Sequence, residues 1–123
     1  MTRERQALGK WGEELAYRAI KRLGYKKIVR NYRCPLGEVD LIAKDGETLV
    51  FIEIKTRKGR GLAYAKEAVN ERKKRQLSKV ALFYMKTLDV CDRPARFDVV
   101  AVSLENDSQP TIELIKDAFQ VAY

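Results

Sequence analysis

The chain contains no histidine. That absence excludes Ser-His-Asp and Cys-His triads, histidine general bases, ββα-metal nucleases and zinc sites with imidazole ligands. Cysteine is nearly as scarce. Cys34 and Cys91 lie far apart with no Cys-x-x-Cys spacing, so they supply neither a four-ligand zinc site nor a disulfide framework and read as reduced thiols. No apolar run approaches the roughly 18 residues that a membrane span needs. The start, Met-Thr-Arg-Glu-Arg-Gln, lacks a secretory pattern, which predicts a cytoplasmic protein without membrane contact. Repeats, low-complexity tracts and internal linkers are also missing. The 123 residues are therefore expected to form one domain over 1–123, long enough to bury on the order of two thirds of its unfolded surface.

Basic charge is what the chain has in excess, with 25 Lys plus Arg against 17 Asp plus Glu and a formal net charge of +8. A polyanionic partner is expected, and nucleic acid is the commonest one. The charge is uneven: Lys55 to Lys79 carries ten bases against two acids, whereas Glu105 to Asp117 carries four acids against one base. Arg57, Lys58 and Arg60 flank Gly59 and Gly61 in a stretch without periodicity, expected to be a loop. Arg72, Arg75 and Lys79 recur at helical spacing, which gives either a solvated helix face or a nucleic-acid contact face. Lys73 falls on the apolar side of the same helix, one turn from Val69 and Leu77, where it either reaches a phosphate or snorkels to solvent.

Periodicity predicts an order of α-β-β-β-α-β-β. A first helix from Arg3 to Leu23 carries an apolar stripe that includes Leu15, Ala16, Ile20 and Leu23, and Gly24 stops it. A basic strand follows from Tyr25 to Cys34. Glu38 to Lys44 and Leu49 to Arg57 then read as a hairpin turning at Asp45-Gly46. The second helix is expected from Lys66 to Leu88, with a stripe at Val69, Leu77, Val80, Ala81, Tyr84 and Leu88. Arg96 to Leu104 has the near-continuous apolar character of a central strand. Thr111 to Ile115 reads as a short edge strand followed by a tail.

Chemistry concentrates in that hairpin. Alternation places Phe51, Glu53, Lys55 and Arg57 on one face of their strand and Val50, Ile52 and Ile54 on the other. With the turn at Asp45-Gly46, Asp40 falls opposite Phe51 and diagonal to Glu53, and Glu38 faces Glu53 directly. Glu-x-Lys by itself is most simply an edge salt bridge. Three acids on one patch, however, require a compensating cation. Oxygen ligands without His or Cys suit Mg²⁺ or Mn²⁺ rather than zinc. Such a site serves phosphodiester hydrolysis, with Lys55 orienting the attacking water or stabilising developing charge.

Gly9-x-x-Gly12-Glu13, Asn31-x-Arg33, Gly37-Glu-Val-Asp-Leu-Ile42, Phe51-Ile-Glu-Ile-Lys-Thr-Arg57, Ala68-Val69 with Lys73, and Arg96-Phe-Asp-Val-Val100 follow one another in this order. Together they resemble the bacterial YraN family, assigned to the restriction-endonuclease-like PD-(D/E)XK superfamily and similar in pattern to archaeal Holliday junction resolvases. The resemblance implies a restriction-endonuclease-like α/β fold, a mixed central sheet flanked by helices. It also implies metal bound by Asp40, Glu53 and an acid of the first helix. Helical alignment with Gly9, Ala16 and Ile20 selects Glu13 over Glu14 for that role. Gly9 and Gly12 are expected where helix and sheet come close. Glu38 stands where many relatives have proline, as an extra ligand or a partner of Lys55, and Asp98 is expected to be a buried hydrogen-bonding residue rather than a catalytic one. The expectation is thus a Mg²⁺- or Mn²⁺-dependent endonuclease acting on DNA through Glu13, Asp40, Glu53 and Lys55, compatible with a homodimer. A non-catalytic nucleic-acid-binding module and an RNA-directed nuclease are the alternatives. No base-reading motif is visible, so recognition of backbone or shape is expected.

Overall fold

The computed structural model describes residues 3–58, 69–104 and 109–121. Its elements are α1 (Arg3–Arg22), β1 (Lys26–Cys34), β2 (Gly37–Asp45), β3 (Thr48–Lys58), α2 (Glu71–Thr87), β4 (Ala95–Leu104) and β5 (Thr111–Phe119), in the expected order. The strands form one mixed sheet in the order β1-β2-β3-β4-β5. Only β3 and β4 run parallel; the remaining neighbours are antiparallel. No helix among the described residues is long and apolar enough to cross a membrane.

Each helix covers one face of the sheet. Ala16 and Ile20 of α1 pack with Leu41, Ala43, Val50, Ile52, Val100 and Val102. Leu77, Val80 and Ala81 of α2 pack with Ile42, Leu49, Phe51, Phe97 and Val99 on the other side. Burial on both faces explains the continuous apolar run of β4, whose odd and even positions serve different cores. Gly24 ends α1 as predicted. Its φ of 95° closes a Schellman arrangement in which the Tyr25 N–H reaches the Ile20 carbonyl and the Gly24 N–H reaches that of Lys21, each at 3.1 Å.

Several boundaries differ from the sequence reading. Helix α2 begins at Glu71 because the Asn70 side chain caps it, accepting the Lys73 N–H at 2.9 Å. Val69 is buried ahead of the helix, and 66–68 lie outside the described residues. Leu88 is not part of the apolar stripe: it caps the helix C-terminus and is 52% exposed, while Met85 takes the buried place. Strand β5 runs to Phe119 instead of giving way to a tail after Ile115, because Ala118 and Phe119 are buried and the Phe119 ring stacks on Phe97 at 4.8 Å.

Asp98 is fully buried, as expected, and its partners are now visible. It accepts from the Tyr25 hydroxyl (3.0 Å), Arg96 Nε (3.0 Å) and the Asp117 backbone N–H (2.9 Å). The last bond lies where the β4–β5 register shifts, so the carboxylate satisfies a donor that the irregular ladder leaves over. Arg96 also donates to Tyr25 Oη at 2.8 Å and Asp45 Oδ2 at 2.7 Å. Burial and the adjacent Asp98 push the Tyr25 hydroxyl up to about 12. Burial opposes the Arg96 charge, yet the two carboxylates hold it above its ordinary range. The network ties the end of α1, the β2–β3 turn and the β4–β5 pair together.

Candidate active site

The β2–β3 turn consists of Gly46-Glu47, with Asp45 opposite Thr48 and Ile42 opposite Phe51. The expected turn at Asp45-Gly46 is therefore displaced by one residue and the register by two. Gly46, with φ of 62°, supplies the left-handed position, while Asp45 stays in the strand to meet Arg96. A shift of two preserves which residues share a face, so the approach of Asp40 to Glu53 survives it. Continuing the register past its last pair, Leu41 with Ile52, brings Asp40 opposite Glu53 rather than diagonal to it.

A second feature aims Asp40. Val39 belongs to the same cluster as Ile42, and Tyr32 to the same cluster as Val29, although strict alternation would separate the members of each pair. Both strands change sides across Asn31 and Asp40. These two residues lie opposite one another, between the pairs Arg30–Leu41 and Tyr32–Val39. Asn31 has a φ of 53°, a left-handed conformation that asparagine tolerates better than most residues. Asparagine within a basic, β-prone run is the sequence signal for this kink, and periodicity alone overlooks it.

Asp40 consequently senses both faces. Its Oδ2 accepts the Ile54 backbone N–H at 2.8 Å. Burial, followed by the hydrogen-bonding proximity and charge of Glu53, pushes the Asp40 carboxyl up to about 8; the Ile54 N–H and Lys73 of α2 pull the other way. Glu13 of α1 is also raised, by burial first and by Asp40 second. Glu53 is 5% exposed, and its Oε2 is buried without a hydrogen bond. The Lys73 ammonium stands 3.2 Å from that oxygen, close enough for an ion pair but out of hydrogen-bonding alignment.

The predicted residues are thus brought together in part. Asp40 and Glu53 converge. Glu13 stands close enough for its charge to matter because α1 crosses β3 at Gly12, where any Cβ would collide with Thr56 Oγ1. Gly9 makes no such approach; a Cβ there would meet open space. Glu38 turns outward to Arg33 at 3.0 Å, and both are largely exposed. Among the described residues, no three Asp, Glu or Cys side chains gather closely enough to hold a metal ion together. Lys55 lies two residues beyond Glu53 on β3, half-buried. Arg57 and Lys58 are exposed at the end of that strand, and Arg60 lies outside the described residues.

Arg72, Arg75 and Lys79 line a groove of about 610 Å³ between α2 and the turn at Pro35-Leu36. Gln76 lines it as well and closely approaches Gly37, whose φ of 142° disfavours a side chain and where a Cβ would press on the Gln76 amide. Lys73 borders this groove and also a neighbouring pocket of about 330 Å³ that includes Arg33 and Glu38. The cationic helix face and the carboxylate pair therefore adjoin one another at Lys73.

Residues 12–102 match the model of a family described as "Uncharacterised protein family UPF0102". A UPF0102 protein of Geobacter sulfurreducens is 47% identical over 116 residues, covering 94% of this chain and 91% of its own. Another, from Geotalea uraniireducens, is 44% identical over 120 residues, covering 98% and 94%. A third, from Syntrophus aciditrophicus, is 46% identical over 115 residues, covering 94% and 90%. The chain belongs to the UPF0102 family.

Proposed function

We propose that this UPF0102 protein is a metal-dependent nuclease of restriction-endonuclease-like architecture that hydrolyses DNA phosphodiester bonds. The observation that carries the reading is the pair Asp40–Glu53, with a buried Glu53 oxygen that has no aligned hydrogen-bond donor and stands beside Lys73, which also lines a cationic groove. The element order and the parallel β3–β4 pair within an otherwise antiparallel sheet support the architectural part.

The donor set fits a hard divalent cation. Asp40 and Glu53 present oxygen ligands, one buried Glu53 oxygen has no aligned hydrogen-bond donor, and burial and Glu53 raise the Asp40 carboxyl. Asp40 and Glu53 would hold Mg²⁺ or Mn²⁺, with Glu13 adding negative charge from α1. Such an ion, when bound, supplies Lewis-acid polarisation of a phosphodiester and a lowered pKa for water. The other roles fall to the chain itself. The Ile54 N–H fixes the Asp40 carboxylate. Lys55 contributes positive charge where the phosphoryl group gains negative charge. Arg72, Arg75 and Lys79 hold the sugar-phosphate backbone without reading bases, with Arg57 and Lys58 available along the same polyanion.

A second reading, a nucleic-acid-binding module without catalysis, is favoured by one observation: Glu53 is already neutralised by Lys73. The deciding experiment incubates the protein with Mn²⁺ or Mg²⁺ and branched, flapped, linear and single-stranded DNA and RNA. Cleavage of a DNA substrate that disappears in Glu53→Gln supports the nuclease. Cleavage confined to RNA transfers the activity to RNA. Binding without cleavage of any substrate leaves the module.

A further inference from the structure

We infer that Lys73 is a tethered competitor for the cation site: its ammonium neutralises Glu53 until a divalent ion takes that place, and the displaced ammonium then serves the anion groove alongside it. The inference rests on the proposed metal site and concerns how that site is regulated.

The geometry gives Lys73 two destinations. Its backbone is held in the first turn of α2, where its N–H bonds to the Asn70 cap, so only the side chain is free to move. In one position Nζ lies 3.2 Å from Glu53 Oε2. That contact is a poor hydrogen bond, since the oxygen remains without an aligned donor, and a flexible ammonium gains little geometric preference there. The other destination is the groove that Lys73 borders with Gln76 and Lys79. The side chain is 31% exposed, so no packed core blocks the path between them.

Charge decides which position is occupied. A divalent cation and an ammonium cannot share one carboxylate oxygen without strong repulsion. Conversely, moving Lys73 towards Arg72, Arg75 and Lys79 gathers like charges and is unfavourable unless an anion lies among them. Divalent cation and polyanion are therefore linked through one side chain: each strengthens the other by the same factor. Without DNA, the ion meets a site partly filled by the protein's own cation, and its apparent affinity falls with the fraction of molecules in which Lys73 occupies Glu53.

The test is Mn²⁺ binding followed by electron paramagnetic resonance, using the full chain without nucleic acid. Lys73→Met keeps most of the aliphatic stem and should bind Mn²⁺ about tenfold more tightly than wild type, the gain expected if Lys73 fills the site in roughly nine molecules of ten. Lys79→Met removes one charge from the same groove and should change Mn²⁺ affinity by less than about twofold, because an exposed charge farther from the site is screened. Ca²⁺ should strengthen binding of a short DNA duplex more in wild type than in Lys73→Met. If Lys73→Met binds Mn²⁺ no more tightly than wild type while Glu53→Gln abolishes binding, the metal site stands and the role given to Lys73 falls. Equal gains in Lys73→Met and Lys79→Met reduce the effect to general electrostatics and overturn it as well. If neither wild type nor Lys73→Met binds Mn²⁺, the metal reading fails and takes this inference with it.

Discussion

Asp40 Oδ2 accepts the backbone N–H of Ile54 at 2.8 Å, beyond Leu41 and Ile52, the last residues that pair β2 with β3. A side chain therefore continues the connection where the backbone ladder stops. The bond holds one carboxylate oxygen in place near Glu53 and makes Asp40 part of the sheet as well as part of the candidate site.

This dual role makes the stability of the ion-free protein depend on pH. Burial and Glu53 raise the Asp40 carboxyl from 3.8 to about 8 in the fold. Below about pH 4 both folded and unfolded states hold the proton, and there is no penalty. As pH rises towards 8 the unfolded chain ionises first, so this group's contribution falls; above 8 the loss is complete. Asp40→Asn retains an oxygen for Ile54 and removes the ionisation. Its Tm should exceed that of wild type by several degrees at pH 7.5, since each kcal/mol corresponds to about 3–6 °C for a domain of this size. Calorimetry at pH 4 and 7.5 checks whether the gap closes in acid.

Mn²⁺ should narrow that gap. At 100 times its Kd, an ion that binds only the folded state adds about 2.7 kcal/mol. Wild type should gain most of this at pH 7.5, and Asp40→Asn should show no comparable shift. An equal shift in both proteins would place the ion elsewhere.

Gly12→Ala should destabilise the fold by about 1–3 kcal/mol, because the new methyl group meets the Thr56 side chain with no space to spare. Thr56→Ala in the same chain should recover part of the loss. Urea denaturation of the two single variants and the double variant measures this coupling directly. Strict additivity would show that the two residues do not meet.

Asp98→Ala should cost about 3–5 kcal/mol, since it removes one of the two carboxylates paired with Arg96 and leaves the Tyr25 hydroxyl and the Asp117 N–H without their shared acceptor. Tyr25→Phe should cost less, about 1–3 kcal/mol, as only the hydroxyl is removed. Chemical denaturation gives both values. Tyr25→Phe should leave DNA affinity unchanged, because the network is separate from the basic groove.

Lys55→Ala should suppress cleavage by at least about a hundredfold while leaving DNA affinity nearly intact, as expected for a charge used mainly in the transition state. Neutralising Arg72, Arg75 and Lys79 together should weaken binding to all sequences alike. It should also lower the slope of log affinity against log salt by roughly one for each phosphate that the protein no longer neutralises. Fluorescence anisotropy at several salt concentrations separates the two sets of variants.

Local chemistry determined a good deal by itself. The stop at Gly24, the buried face of Val50 and Ile52, and the doubly buried run of β4 are legible because periodicity and glycine conformation act over a few neighbouring residues. The proximity of Asp40 and Glu53 was legible too, since strand alternation tolerates an error of two residues in register. Only the tertiary structure decided the rest. Asp45 stays in β2 rather than in the turn because Arg96, distant in sequence, pairs with it. Glu38 pairs with Arg33 across the β1–β2 ladder, although its charge still reaches Glu13, and Lys73 pairs with Glu53 across the interface between helix and sheet. These outcomes depend on which partner lowers the free energy of each charge most, and that competition is settled only when the elements pack.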